Sequence, residues 1–215
     1  MAEIKRIRCG AENTYLVENQ GRAILVDTGR KGFEEMILAQ CRKTKVELIV
    51  LTHGHIEQIQ NAAFLSKKLN VPLALHPEEL DRIKDNSEEP LLYQGILGLL
   101  FAEVTIKEQD IEEIPDLKPD IFLKEGDCLT DFGLDARVLE LPGHTKGSIG
   151  LDIEATDLIV GDALMNLFYP GLPMVYSDRE SVLKSAKKIH SLGARKLYFS
   201  HGDPVDNQAF QWSEY

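Results

Sequence analysis

Five residues that can hold a metal ion stand at the ends of apolar runs. His53 and His55 close "LIVLTHGH", His144 follows "LELPG", Asp162 closes "LIVGD", and His201 follows "LYFS". Residues two apart at the end of an extended segment project to the same side, so His53 and His55 can grip one ion. His144, Asp162 and His201 each adjoin a glycine, where the backbone can turn sharply. Imidazole nitrogen and carboxylate oxygen are the donors that zinc and its first-row neighbours take. One isolated histidine is more often a packing or surface residue than a ligand. Four of the six histidines in this setting, with an aspartate in a fifth, point instead to a shared site. His76, before Pro77, and His190 lack the setting and read as a turn residue and a helix residue.

Delivering these side chains requires strands that end together. "TYLVENQGRAILVDTG" reads as two short strands about a turn at 19–21, the second ending at Asp27, with Gly29 and Gly32 then releasing the chain into a helix. That helix places Phe33, Met36, Ile37, Gln40 and Cys41 on one side. "VELIVLT" is continuously apolar, as a strand covered on both faces would be. The following helix turns Ile59, Ala62, Ala63 and Leu69 inward, and "VPLALHP" returns as a strand. From Leu134 the pattern resumes: "LDARVLEL", "SIGLDI" and "DLIVGD" as strands, 181–192 as a helix, "KLYFSHGD" as the last strand. The pattern predicts a sandwich of two mixed sheets with helices outside, one α/β domain over 1–215. Residues 77–120 depart from it, being dense in charge, interrupted by Pro90, Pro115 and Pro119, and apolar at "LLYQGILGLLF". They read as a helical cap, or as an insertion whose Leu92, Tyr93, Ile96 and Leu100 wall a substrate pocket or a homodimer contact.

Charge and cysteine usage narrow the function classes. Against 24 Lys and Arg stand 35 Asp and Glu, a net of -11 that disfavours nucleic acid and anionic membrane surfaces as partners. The N-terminal stretch has no apolar core of signal-peptide length, and no run approaches the roughly 18–20 apolar residues of a membrane span. Cys9, Cys41 and Cys128 are scattered and odd in number, which suits packing roles in a reducing compartment. The expectation is a cytoplasmic protein acting on a small-molecule substrate.

The ordered set "ILVDTG", "THGHIEQ", "LPGHTKGS", "GDALM" and "SHGD" resembles the metallo-β-lactamase fold superfamily over nearly all of the chain outside 77–120. The resemblance implies a four-layer αβ/βα sandwich with a metal site at one edge between the sheets. It also implies that His53, His55 and His144 hold a first metal, that Asp162 bridges two metals, that His201 ligates the second, and that Asp27 supports the site from behind. Secreted β-lactamases are set aside for want of an export signal and nucleases of the fold by the net charge. Acylglutathione hydrolases of the familiar kind are set aside by the short segment after His201, and diiron flavoproteins by their His-x-Glu motif.

One part of the motif departs from the family. The superfamily pattern is His-x-His-x-Asp-His, and this chain reads "HGHIEQ", with Glu57 and Gln58 at the last two positions. Glu57 keeps the charge on a longer side chain, whereas Gln58 offers a neutral amide, a far weaker zinc donor than imidazole. The expected cofactor is one divalent ion, Zn²⁺ with Fe²⁺ or Mn²⁺ as alternatives, and a second ion weak or absent. The expected activity is hydrolysis of an ester, thioester or lactone by metal-bound hydroxide, with Asp162 orienting the water and Glu57 as general base. The alternative is a catalytically impaired metal- or ligand-binding protein on the same scaffold.

Overall fold

A computed structural model describes residues 1–84, 92–93 and 117–209. The chain opens with an antiparallel meander, β1 (Glu3–Cys9), β2 (Glu12–Asn19) and β3 (Arg22–Val26), and helix α1 (Glu34–Cys41) leads into β4 (Lys45–Val50). Two short helices, α2 (Ile56–Ile59) and α3 (Ala62–Leu69), then cross to β5 (Leu73–Leu75). A single 3-10 turn (Pro77–Glu79) and α4 (Leu80–Lys84) follow, then two-residue strands β6 (Leu92–Tyr93) and β7 (Ile121–Phe122). The second half carries β8 (Ala136–Glu140), β9 (Ile149–Ile153), β10 (Asp157–Gly161), β11 (Val175–Tyr176), α5 (Arg179–Ser191), β12 (Lys196–Phe199) and β13 (Val205–Asp206).

The strands form a six-stranded sheet in the order β1-β2-β3-β4-β5-β7 and a five-stranded sheet in the order β13-β12-β10-β9-β8. Period-two alternation assigns each side chain to a layer. In the first sheet Leu16, Leu25 and Ile49 face outward to Ile37, Leu38 and Cys41 of α1 and Ala62 and Leu65 of α3. Their neighbours Tyr15, Val17, Ile24, Val26, Leu48 and Val50 face inward to Val138, Leu151, Ile159 and Tyr198 of the second sheet. Leu158, Val160, Leu197 and Phe199 face away from that interior and pack with Ala186 and Ile189 of α5. The four layers predicted from the sequence are therefore present, and both sheets are covered on both faces, which explains the unbroken apolar runs of β4 and β10.

Several local expectations need correction. The inward side of α1 is Ile37, Leu38 and Cys41; Met36 is 39% exposed and Gln40 half-buried, because the helix is rotated so that Leu38 fills the sheet-side stripe. The helix after β4 is broken into α2 and α3 at Asn61, whose side-chain amide reaches the carbonyls of Thr28, Gly29 and Arg30 at 2.7–3.1 Å and holds that turn against the β3 end. Leu65 joins Ile59 and Ala62 in its buried face, while Ala63 and Leu69 are half-buried. Cys9 and Cys41 are buried but Cys128 is exposed. The N-terminal strand β1 escaped the pattern because it is an edge strand bearing Lys5, Arg6 and Arg8, a composition that discourages further pairing. His76 is buried and structural: its Nδ1 accepts from the Glu78 amide, leaving Nε2–H for Glu140 at 3.1 Å.

Of the 77–120 excursion, Ile96, Leu100 and most of the suggested cap lie outside the described residues. Leu92 and Tyr93 are about half exposed, at 45% and 48%, and β6 pairs antiparallel with β11, beside the His144 loop. Among the described residues no helix is long and apolar enough to cross a membrane.

The layer assignment makes a direct prediction. Leu48→Ala, emptying a fully buried position between the sheets, should lower unfolding free energy by about 2–5 kcal/mol in chemical denaturation. Met36→Ala, on the open side of α1, should change it by about 0.5 kcal/mol or less.

Candidate metal centre

Five strand ends converge at one edge of the sandwich. β3 delivers Asp27 and β4 delivers His53 and His55 from the first sheet; β8, β10 and β12 deliver His144, Asp162 and His201 from the second. Main-chain bonds sew the sheets together at this edge, from Asn13 N–H to the Ser200 carbonyl at 2.8 Å and from Ile149 N–H to the Thr52 carbonyl at 2.9 Å. The Tyr15 hydroxyl adds a third link, donating to the Phe199 carbonyl at 2.6 Å. Thr52 immediately precedes His53, and Phe199 and Ser200 lie two and one positions before His201, so the seam sets the spacing between the two halves of the site.

His53, His55 and His144 form one buried cluster. Their ring centroids lie 4.6–4.8 Å apart and the rings stand 83–87° to one another. Burial lowers the pKa of all three below the ordinary imidazole value, so each carries one ring proton and one lone pair. The hydrogen bonds assign which nitrogen is bare. His144 Nδ1 lies 2.8 Å from the Val175 carbonyl, which can only accept, so Nδ1 holds the proton and Nε2 is bare. Asp27, in the left-handed region at φ 61°, turns its carboxylate back to accept from the Thr52 amide at 2.8 Å and the Thr52 hydroxyl at 2.9 and 3.0 Å. With that carboxylate ionised the hydroxyl donates to it, and so accepts from His53 Nδ1 at 3.0 Å, which leaves His53 Nε2 bare. Burial raises Asp27 to about 8 against the opposing pull of the Thr52 donors, and a cation at His53 favours its ionised form.

The second cluster is Glu57, Asp162 and His201. Asp162 Oδ2 joins the two, standing 3.4 Å from His53 Nε2, 3.7 Å from His144 Nε2 and 3.5 Å from His201 Nε2. Burial alone would raise Asp162, but the charge of His201 and its hydrogen bond outweigh burial and hold the carboxyl below the usual carboxylate range. His201, which burial would lower, is raised to about 9 by Asp162. Burial pushes Glu57 up to about 7, against the pull of His201. Glu57 lies in the first turn of α2 and its Oε1 reaches to 4.0 Å from His55 Nδ1, so the longer side chain is folded into the site and not released to solvent.

The donor atoms fit a divalent cation. His53 Nε2, His55 Nε2 and Asp162 Oδ1 are buried without a hydrogen-bond partner among the described residues. His55 Nδ1 and His144 Nε2 meet at 2.9 Å. With His144 Nε2 bare, that contact is closed either by a proton on His55 Nδ1, which leaves His55 Nε2 bare, or by a cation shared between the two lone pairs. The Gln58 side chain is likewise fully buried with neither Oε1 nor Nε2 partnered among the described residues, while its main-chain carbonyl receives the Thr28 amide and hydroxyl. All six residues expected from the sequence, Glu57 included, are thus brought together. The sequence reading missed Thr52 and the Val175 carbonyl, which orient the rings; Thr52 adjoins the motif, but a main-chain acceptor has no sequence signature.

The cluster makes a testable statement about metal content. Metal-free protein incubated with Zn²⁺ or Co²⁺ and desalted should retain the ion, and His53→Ala or His144→Ala should lose it. Equal metal content in parent and variants, read by elemental analysis, would place the binding site elsewhere.

Similarity to known proteins agrees with this geometry. The model of the metallo-beta-lactamase superfamily matches residues 7–201. An uncharacterised Aquifex aeolicus protein is 32% identical over 148 residues, 68% of this chain and 62% of its own length. Hydroxyacylglutathione hydrolase 1 of Vibrio vulnificus is 29% identical over 204 residues, 91% of this chain and 64% of that protein. The chain therefore spans a little under two thirds of these two relatives. A Bacillus subtilis protein named as a probable metallo-hydrolase is 26% identical and 86% covered, with 90% of this chain matched. Among solved structures, a protein crystallised in a di-iron-bound form superposes with a TM-score of 0.73 at 25% identity, covering 95% of this chain and 96% of that one. With the matched region running from β1 to the last site histidine, the chain belongs to the metallo-β-lactamase superfamily.

Proposed function

We propose that the protein is a metal-dependent hydrolase of a small ester, thioester or lactone, working in the cytoplasm as a single catalytic domain. The observation that carries this reading is the position of Asp162 Oδ2, within 3.7 Å of three imidazole nitrogens drawn from both clusters. His53, His55 and His144 would hold a first divalent ion, with Zn²⁺ favoured by three neutral imidazoles and Fe²⁺ or Mn²⁺ as alternatives. Asp162 would face both sites, and His201 with Glu57 would complete a second, oxygen-rich one. A bound divalent ion supplies a Lewis acid that polarises a carbonyl and makes water acidic near neutral pH.

The chain's own residues supply the rest. Asp162, ionised and acceptor-only, orients a water by accepting its hydrogen bond. Glu57, buried and raised to about 7, is suited to take a proton from that water and return it to the leaving oxygen or sulfur. Asp27 and Thr52 hold the His53 ring in the tautomer that keeps Nε2 bare, and the Val175 carbonyl does the same for His144. The relative named hydroxyacylglutathione hydrolase keeps acylglutathione thioesters among the substrates to be screened.

Gln58 favours one second reading, a protein that binds metal or ligand without turnover, because its amide stands where the superfamily motif has histidine. The two readings separate in a screen of thioesters, esters and lactones with zinc-, iron- and manganese-loaded protein. The hydrolase reading expects turnover with at least one class, and expects Glu57→Gln to keep first-site metal while lowering kcat by about 10²–10⁴-fold. Glu57→Asp combined with Gln58→His should raise zinc content toward two per chain. Two tightly bound zinc ions in the unaltered protein, or full activity in Glu57→Gln, would overturn these assignments.

A further inference from the structure

Glu79 lies outside the motif and outside both clusters, yet its side chain is buried to 0% exposure at the base of the site. It ends the 3-10 turn after β5, a segment that contributes none of the donors described above. Oε2 accepts the Gly54 amide at 2.7 Å, and Gly54 is the residue between His53 and His55. Oε1 accepts the Gly147 amide, also at 2.7 Å, in the loop that carries His144. The Thr145 hydroxyl adds a further hydrogen bond. Arg82, itself buried, stands one turn on with Nε 4.0 Å from Oε2.

The two glycines make this approach available. A Cβ at Gly54 would lie 2.9 Å from Glu79 Oε2, and one at Gly147 would lie 2.8 Å from Glu79 Oε1 and Cγ and 2.9 Å from His76 Nδ1. Neither glycine has a positive φ, so close approach and not backbone conformation calls for glycine at both. One carboxylate thus touches both histidine loops, which come from different sheets. The His55 and His144 donors that it spans meet at 2.9 Å. A buried carboxylate accepting main-chain amides forms strong, directional bonds, and groups behind metal ligands tune affinity by fixing ligand position.

We propose that Glu79 is a positioning residue that clamps the His53–His55 loop to the His144 loop through the Gly54 and Gly147 amides and so sets the bite of the three-histidine metal site. The clamp rests on the reading of those histidines as metal ligands. Opening it leaves the donors in place but lets the two loops drift apart.

Glu79→Gln keeps the shape but sets an amide NH₂ against one of the two N–H donors. The experiment compares metal-free wild type, Glu79→Gln, and Ser66→Ala, which deletes the 2.7 Å bond from Ser66 to the Val71 carbonyl far from the site. Three quantities are read: zinc affinity by chelator competition, the visible spectrum with one equivalent of Co²⁺, and the thermal midpoint without metal. Glu79→Gln should weaken zinc by about 10–100-fold and alter the Co²⁺ spectrum. Ser66→Ala should move only the midpoint. Zinc affinity within twofold of wild type together with an unchanged Co²⁺ spectrum in Glu79→Gln would overturn the clamp, whatever its midpoint, since a purely structural role moves stability alone. If Glu79→Gln does not fold, Gly147→Ala, which pushes on the carboxylate without removing it, is read by the same criteria. His53→Ala abolishing zinc uptake while Glu79→Gln binds normally rejects only the clamp, whereas wild type that takes up neither zinc nor cobalt rejects the metal-site reading and the clamp together.

Discussion

Bare lone pairs buried together constrain everything else in this molecule. Asp162, His53 and His55 are removed from water with donor atoms that find no partner among the described residues, and His144 is buried beside them. An uncompensated buried polar atom costs about 1–3 kcal/mol. A cluster of them persists where the fold holds them for a ligand that satisfies several at once. The arrangement needs donors from both sheets, so neither half of the sandwich contains the site alone. The sheets must close at this edge to within the tolerance of a metal–ligand bond, a few tenths of an ångström.

The packing is organised to meet that tolerance. The interior between the sheets is filled by tightly alternating residues such as Ile24, Leu48, Val138 and Leu151, and apolar burial is strong but without direction. Direction comes from polar links at the rim. Asn13 to Ser200 and Ile149 to Thr52 fix one sheet against the other, and Asp27 with Thr52 fixes the His53 ring. Stability and site geometry thus have separate physical sources, so a variant can unfold the protein without altering the donor set, or loosen the donors in a protein that stays folded.

The Glu57 and Gln58 positions show how far a local change can be absorbed. Glu57 sits at the first turn of a four-residue helix, from which its extra methylene still lets the carboxylate join Asp162 and His201. Gln58 lies at the next position, where its main chain is anchored to Thr28 and its side chain remains enclosed. The helix backbone is thus pinned by Thr28, and the chemistry of the second cluster is set by which side chains that pinned turn carries.

Much of this was legible in the sequence. The apolar runs of β4 and β10 and the histidines at strand ends are local patterns, and local periodicity encodes which faces are buried and where a strand stops. Five donor residues could be named because ligand type and position at a strand end are both properties of a short segment, and Glu57 because it occupies a position of the family motif. Edge strand β1, the rotation of α1 toward Leu38 and the break at Asn61 were not legible, because each depends on what packs opposite. The same holds inside the site. Which nitrogen of His144 is bare depends on a carbonyl 31 positions away, and the link between Gly54 and Gly147 depends on a glutamate 25 positions from one and 68 from the other. Residue types and spacing state which atoms can bind; only the closed sandwich brings those atoms within ångströms of one another, because distances between segments far apart in sequence arise from packing and carry no local periodicity.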